Sequence, residues 1–164
     1  MEIPQGLRSC VNKALYRLSL SDLTERELME YLTDPRRKNT GFSEDVARST
    51  VDLLKEKGMV DDLRCLKETL RRLDAKGYGK RRIREELQKR KFSPRYVEAA
   101  MNRNTDEEAR AAKVLAGIGN APAHAATPAG RKKLVDKLVR HGYDYTTARG
   151  AVEAISEEDD LFSE

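Results

Sequence analysis

The sequence is poor in most of what a compact enzyme is built around. Of its 164 residues none is tryptophan, three are phenylalanine and two are histidine. With 38% of residues hydrophobic and 37% charged, the chain suits a thin, solvent-rich array of charged helices better than a thick α/β core. Its two cysteines, Cys10 and Cys65, lack C-x-x-C spacing, which excludes a disulfide framework and points to a reducing cytoplasm. No eighteen apolar residues run together, and the opening MEIPQGLRSCVNKAL has no uninterrupted apolar stretch, so neither membrane spanning nor secretion is expected. No segment alternates apolar and polar as a half-buried strand does. His124 and His141 have no Cys, His or carboxylate neighbours at metal-ligand spacing, and no nucleophile motif is recognisable. A non-enzymatic protein without metal or cofactor is the expectation.

What the sequence does have is a unit that recurs about every fifty residues. Gly41-Phe42-Ser43, Lys91-Phe92-Ser93 and Gly142-Tyr143-Asp144 each place an aromatic in a polar turn before a helix-capping residue, with aromatic spacings of 50 and 51. Leu87 and Leu138 each stand five residues before their aromatic. Self-similarity at this period is the mark of stacked helical repeats, since one such unit cannot bury its own apolar face. The expected fold is all-α: an elongated, curved array of three tandem three-helix repeats, about nine helices in all, over residues 1–60, 61–104 and 105–164.

Local signals divide each repeat. Cys10, Val11 and Ala14 follow Leu7 at helical spacing, and Leu15 and Leu18 continue the stripe. Thr24-Glu-Arg-Glu27 is a T-x-x-E capping box. Residues 35–39, Pro-Arg-Arg-Lys-Asn, are an insertion relative to the other repeats and read as a basic loop or helix extension. In the second repeat Asp61 or Asp62 caps a helix with Leu63, Leu66, Leu70 and Leu73 inward, and Ser93-Pro94 opens another. Gly77 and Gly79 supply backbone freedom between helices. Thr105-Asp-Glu-Glu108 reads as a second capping box. Residues 117–126, GIGNAPAHAA, read as a flexible loop, Thr127-Pro128 restarts a helix, and residues 156–160 form a frayed acidic tail.

Net charge is +4, and its distribution says more than its sum. Residues 1–60 hold ten Lys/Arg and ten Asp/Glu, residues 61–104 hold fourteen and seven, and residues 105–164 hold eight and eleven. The middle repeat therefore carries the whole positive excess. Such a block attracts phosphates or an acidic protein surface, and salt weakens that attraction; a solvated helix face has the same composition.

At Gly58-Met-Val-Asp61-Asp62 and Gly77-Tyr78-Gly79-Lys80-Arg81-Arg82-Ile83-Arg84-Glu85-Glu86-Leu87 the chain resembles the RecX family of bacterial regulatory proteins. Order, spacing and threefold repeat agree over residues 9–155. Cys65 and Leu66 stand where the family usually has an aromatic and an alanine, and Lys91 where it usually has glycine. The resemblance implies a negative regulator of the RecA recombinase, one that binds RecA filaments on single-stranded DNA, blocks their growth and favours disassembly.

On the helix containing Ile83 and Leu87, burial of those two residues turns Arg81, Arg82 and Arg84 outward, with Lys80, Lys89 and Arg90 extending the surface and Arg71 and Arg72 adding from the preceding helix. Guanidinium forks bind carboxylate or phosphate bidentately, so these eight residues are the candidate contacts for RecA or DNA phosphate. Pairing with Glu85 and Glu86 is the competing structural role. Tyr78 fills an inter-helix corner or stacks on a base. The alternative function is a sequence-nonspecific nucleic-acid-binding module, with weak direct DNA binding through the same cations. A monomer is expected, with no membrane partner.

Overall fold

The computed structural model describes the backbone of residues 3–161 and the side chains of residues 3–156, and among these residues there is no strand. A 3-10 turn, Gln5–Leu7, leads into α1 (Arg8–Leu20), α2 (Glu25–Thr33), α3 (Glu44–Glu56), α4 (Asp62–Ala75), α5 (Lys80–Lys89), α6 (Pro94–Met101), α7 (Glu107–Ala116), α8 (Ala121–Ala125), α9 (Pro128–Arg140) and α10 (Tyr145–Leu161). The helix beyond the nine expected is α8, within the stretch expected as a flexible loop. Ala121 and Ala125 are buried, and a Cβ on Gly130 would overlap the His124 carbonyl oxygen. The small residues thus serve close packing of α8 on α9, and their size is not a sign of looseness. The acidic end also differs from expectation: the backbone stays helical through Leu161, while the side chains beyond Ser156 lie outside the described residues.

The chain divides into two compact units, one of Met1–Glu68 with Leu87–Tyr96 and one of Thr69–Glu86 with Val97–Glu164. The division runs through α4, α5 and α6, so the segment read as the middle repeat contributes to both. Along α4 the buried stripe is Cys65, Leu66, Thr69, Leu70 and Leu73, and Leu63, expected inward, is 46% exposed because it lies one position off that stripe.

In the first unit Cys10, Ala14, Leu23, Leu28, Leu32, Ala47, Val51, Leu54 and Val60 form one core. Each fully buried leucine there contributes about 1.5–3 kcal/mol of transfer free energy. The start of α2 is fixed by polar groups. Thr24 Oγ1 accepts from Glu27 N at 3.1 Å and Glu27 Oε2 accepts from Thr24 N at 2.9 Å, so the capping box closes in both directions. Asp62 Oδ1 takes the Glu25 N–H at 2.8 Å, and Asp61 Oδ1 takes the Arg64 N–H at 3.0 Å. Of the two aspartates, Asp61 caps α4 and Asp62 satisfies an open donor of α2. Burial pushes the Asp62 carboxyl up. The Thr24 hydroxyl also donates to the Arg90 carbonyl at 3.0 Å.

In the second unit Ala111, Leu115, Ala125, Leu134, Val135, Leu138, Tyr143, Ala148, Ala151 and Val152 make the core. Thr127 and Asp144 cap α9 and α10 through Gly130 N at 3.1 Å and Thr147 N at 2.9 Å. The capping box expected at Thr105 does not form. Asp106 caps α7 instead, accepting from Ala109 N at 2.9 Å, because a carboxylate one residue later is an acceptor better suited to the open N–H groups. Thr105 Oγ1 is left buried without a partner.

Candidate interaction surface

Residues 77–84 leave α4 and enter α5, and in the second unit their backbone is joined to the turn after α9. Gly79 N donates to the His141 carbonyl at 2.9 Å and Arg81 N to the Gly142 carbonyl at 3.1 Å. The Tyr143 hydroxyl donates to the Gly77 carbonyl at 2.8 Å. The approach is backbone on backbone: a Cβ on Gly79 would sit 2.6 Å from the Gly142 carbonyl group and from Tyr143 N. Gly77, at φ 71, supplies the expected freedom to end a helix. Gly79 corrects that expectation, since it is not left-handed and its glycine answers to lack of room. Tyr78 is half-buried, edge-on to His141 with centroids 5.9 Å apart, and Lys76 and Arg82 approach its ring at 6.0 and 5.5 Å. It fills the corner between the segment and the α9–α10 turn.

The eight cations expected at a partner surface have different surroundings. In the second unit Arg82 binds Glu86 at 3.1 Å and Glu85 at 3.7 Å on its own helix, the Arg81 guanidinium donates to the Val139 carbonyl, and Lys80 N donates to Glu107 Oε2 at 3.1 Å. The Arg81 and Arg82 side chains and the Lys80 backbone thus fix the start of α5. Arg71, Arg72 and Arg84 are exposed, and among the described residues the side chains of Arg72 and Arg84 have no ion pair or hydrogen bond.

In the first unit Lys89 is exposed, while Arg90 is held within the fold. Its guanidinium donates to Glu27 Oε2 at 3.1 Å, to Glu27 Oε1 at 3.3 Å and to the Asp22 carbonyl at 2.8 Å, and it lies 5.6 Å from the Phe92 ring centroid. Burial works against its charge, yet the Glu27 carboxylate and the Cys65 side chain together outweigh burial and raise its pKa. Burial likewise pushes up the thiols of Cys10 and Cys65, which keeps both in the unreactive protonated form.

No protein-family model matches the chain. Over 110 residues, 67% of this chain and 69% of the relative, it is 33% identical to the Regulatory protein RecX of Vibrio vulnificus (strain CMCP6). The chain belongs to the RecX family. A crystal structure of RecX from Lactobacillus salivarius superposes with a TM-score of 0.74 at 19% identity, covering 98% of this chain and all of that one, 100%, so the two share a fold. In this RecX-family chain the motif glycines, Tyr78, Arg81 and Arg82 are engaged in holding the segment in place, and of the eight candidate cations the side chains of Arg72, Lys80 and Arg84 have no ion pair or hydrogen bond among the described residues.

Sequence reasoning missed two groups of residues. Asp74 receives Arg103 at 2.8 Å and Arg110 at 3.0 Å, and Arg110 also binds Glu107 at 3.1 Å and the Tyr78 carbonyl. That network supports the 77–84 segment from within the second unit. In the first unit Lys13, Arg17 and Arg37 converge on Tyr31. The i, i+4 spacing of Lys13 and Arg17 was the only signal of the second group. Among the described residues no cluster of His, Cys, Asp or Glu suits a metal ion, and no helix is long and apolar enough to cross a membrane.

Proposed function

We propose that this protein is a negative regulator of the RecA recombinase. It binds RecA filaments assembled on single-stranded DNA, blocks their extension and favours disassembly, so that recombinase and ATPase activity fall. The observation that carries this reading is membership of the RecX family, and exposed, unpaired Arg72 and Arg84 supply the side chains offered to the filament. Arg71, Lys80 and Lys89 add to the positive field, while Arg81 and Arg82 act at one remove by fixing α5. Arg90 contributes through the fold. Three tandem repeats acting as a monomer in the cytoplasm would let one chain touch successive RecA protomers, so that individually weak contacts add through linkage. No catalysis, cofactor or metal is required.

The test is the ATPase rate of RecA from the same organism on excess single-stranded DNA, titrated with this protein at fixed salt. Inhibition well below one protein per RecA protomer is expected, and Arg72→Ala with Arg84→Ala should raise the half-inhibiting concentration about tenfold, as for lost charge-assisted contacts of about 1.4 kcal/mol, with helicity unchanged. Inhibition that added DNA abolishes would instead mean competition for the DNA itself.

A further inference from the structure

The first unit contains a cleft of about 610 Å³ lined by Arg17, Arg36, Arg37, Lys89 and Lys91 together with Tyr31. Its walls come from separate parts of the sequence: α1, α2, the inserted residues 35–39, and the end of α5 with the turn that follows. The insertion is itself well braced. Asp34 Oδ1 accepts from Arg36 N at 3.0 Å, the Thr40 hydroxyl donates to the Asp34 carbonyl at 2.6 Å, and Gly41 N and Phe42 N both donate to the Leu32 carbonyl, at 2.9 and 3.0 Å. Arg37 is thereby presented to Tyr31, where its guanidinium carbon lies 5.5 Å from the ring centroid, with Arg17 at 5.7 Å and Lys13 Nζ at 5.9 Å. The negative face of one ring holds three like charges near each other.

Carboxylates are present in the lining too, and each is already engaged. Glu27 serves Arg90 and the α2 cap, Asp34 binds Arg36 at 2.9 Å and Arg37 at 3.3 Å, and Glu30 lies 3.6 Å from Lys91. Arg17 donates to a neutral partner, Ser21 Oγ at 2.8 Å, and is in no ion pair among the described residues. The cleft therefore has more cations than carboxylates, and its lining is mostly polar, with Leu23, Pro35 and the Tyr31 ring as its apolar surface. An acidic peptide would normally bring apolar anchors that this lining cannot bury; a chain of phosphodiesters needs only cations and hydrogen-bond donors.

From this geometry we infer that the cleft binds the phosphate backbone of single-stranded nucleic acid, with Arg17 and Arg37 as the principal phosphate contacts. The inserted residues 35–39 are then a nucleic-acid contact built into the first unit. A concave cleft admits a flexible strand, whereas the convex side of a duplex meets only its rim. The inference does not depend on the RecA reading, because its measurement needs no recombinase.

The experiment is fluorescence anisotropy of a labelled oligothymidylate with the full chain over a salt series. Arg17→Ala with Arg37→Ala is expected to weaken binding about tenfold at low salt and to lower the salt slope by about 1.4, two phosphate contacts at about 0.7 each. Arg131→Ala with Lys132→Ala removes the same charge from the start of α9 and should change affinity less than about twofold. Asp34→Asn, which releases Arg36 and Arg37 from a carboxylate, should tighten binding about threefold; this arm guards against a variant that merely fails to fold. Equal losses in both arginine-containing double variants would overturn the inference in favour of net charge alone. So would an unchanged salt slope in the Arg17/Arg37 variant, preference for duplex over strand, or an acidic peptide that binds the cleft more tightly than the oligonucleotide.

Discussion

At Lys91-Phe92 the chain leaves α5 through a left-handed residue, φ 60, and at Gly142-Tyr143 it leaves α9 through another, φ 99. Each turn then buries its aromatic, Phe92 to 4% exposure and Tyr143 to 1%, and each aromatic N–H reaches back to a helix carbonyl, Leu87 or Leu138, at 3.2 Å. What surrounds them differs. A Cβ on Gly142 would lie 2.5 Å from Arg82 N and closer still to Arg82 Cβ, because the 77–84 segment lies directly against it. Lys91 carries a full side chain that reaches Glu30 at 3.6 Å. The same backbone turn is held in one unit by close packing and a phenol hydrogen bond, and in the other by the Arg90–Glu27 ion pair. A recurring sequence motif fixes the local conformation, while what each copy packs against decides which residue is indispensable.

The largest effect expected from breaking this contrast is at Gly142. Gly142→Ala should cost about 3–5 kcal/mol, combining strain at positive φ with overpacking against Arg82, read as a shift in the urea midpoint at constant slope. Arg90→Ala comes next, at about 2 kcal/mol, since it leaves the Glu27 carboxylate half-buried without its cation; a far smaller loss would mean that the Phe92 turn stands without the ion pair.

Tyr143→Phe removes one buried hydrogen bond and should cost about 1 kcal/mol. It also has a pH signature. Burial raises the Tyr143 phenol above its usual 10.0, so the stability linked to the neutral phenol is complete below pH 10.0 and declines as pH rises through the shifted value. Unfolding curves across that alkaline range should converge for the wild type and Tyr143→Phe, and a parallel decline would contradict the assignment. Smallest, and opposite in sign, is Lys91→Gly, expected to stabilise by about 0.5–1 kcal/mol by relieving a left-handed L-residue. Loss of stability there would show that the Glu30 contact outweighs the backbone strain.

Much of the fold was legible because it rests on short-range signals. The helical class, the Thr24 box, the Ser93, Thr127 and Asp144 caps and the buried faces of α1 and α5 follow from spacing and capping chemistry alone, while the choice between Asp61 and Asp62 as the α4 cap does not. The candidate surface was less legible for a definite reason. Arg81, Arg82, Arg84 and Arg90 look alike along a basic helix, and their roles are set by Val139, Glu86, solvent and Glu27, the last of these 63 residues away from Arg90. Gly79 was read as flexibility because the turn that crowds it is contributed by a distant segment. The α8 stretch was misjudged for a related reason: alanine and glycine serve loose chain and tight packing equally, and only the neighbouring helix distinguishes them.

The Thr24 hydroxyl accepts from Glu27 N and donates to the Arg90 carbonyl, with the residue itself 0% exposed. This cap therefore has to be a donor and an acceptor at once, a requirement that aspartate and asparagine, good caps elsewhere, cannot meet in the same way. An ionised aspartate would set oxygen against oxygen at the end of α5, and an asparagine would have to divide the two duties between separate atoms. A redesign guided by average capping preference would go wrong at this position, where serine is the one substitution that keeps both bonds.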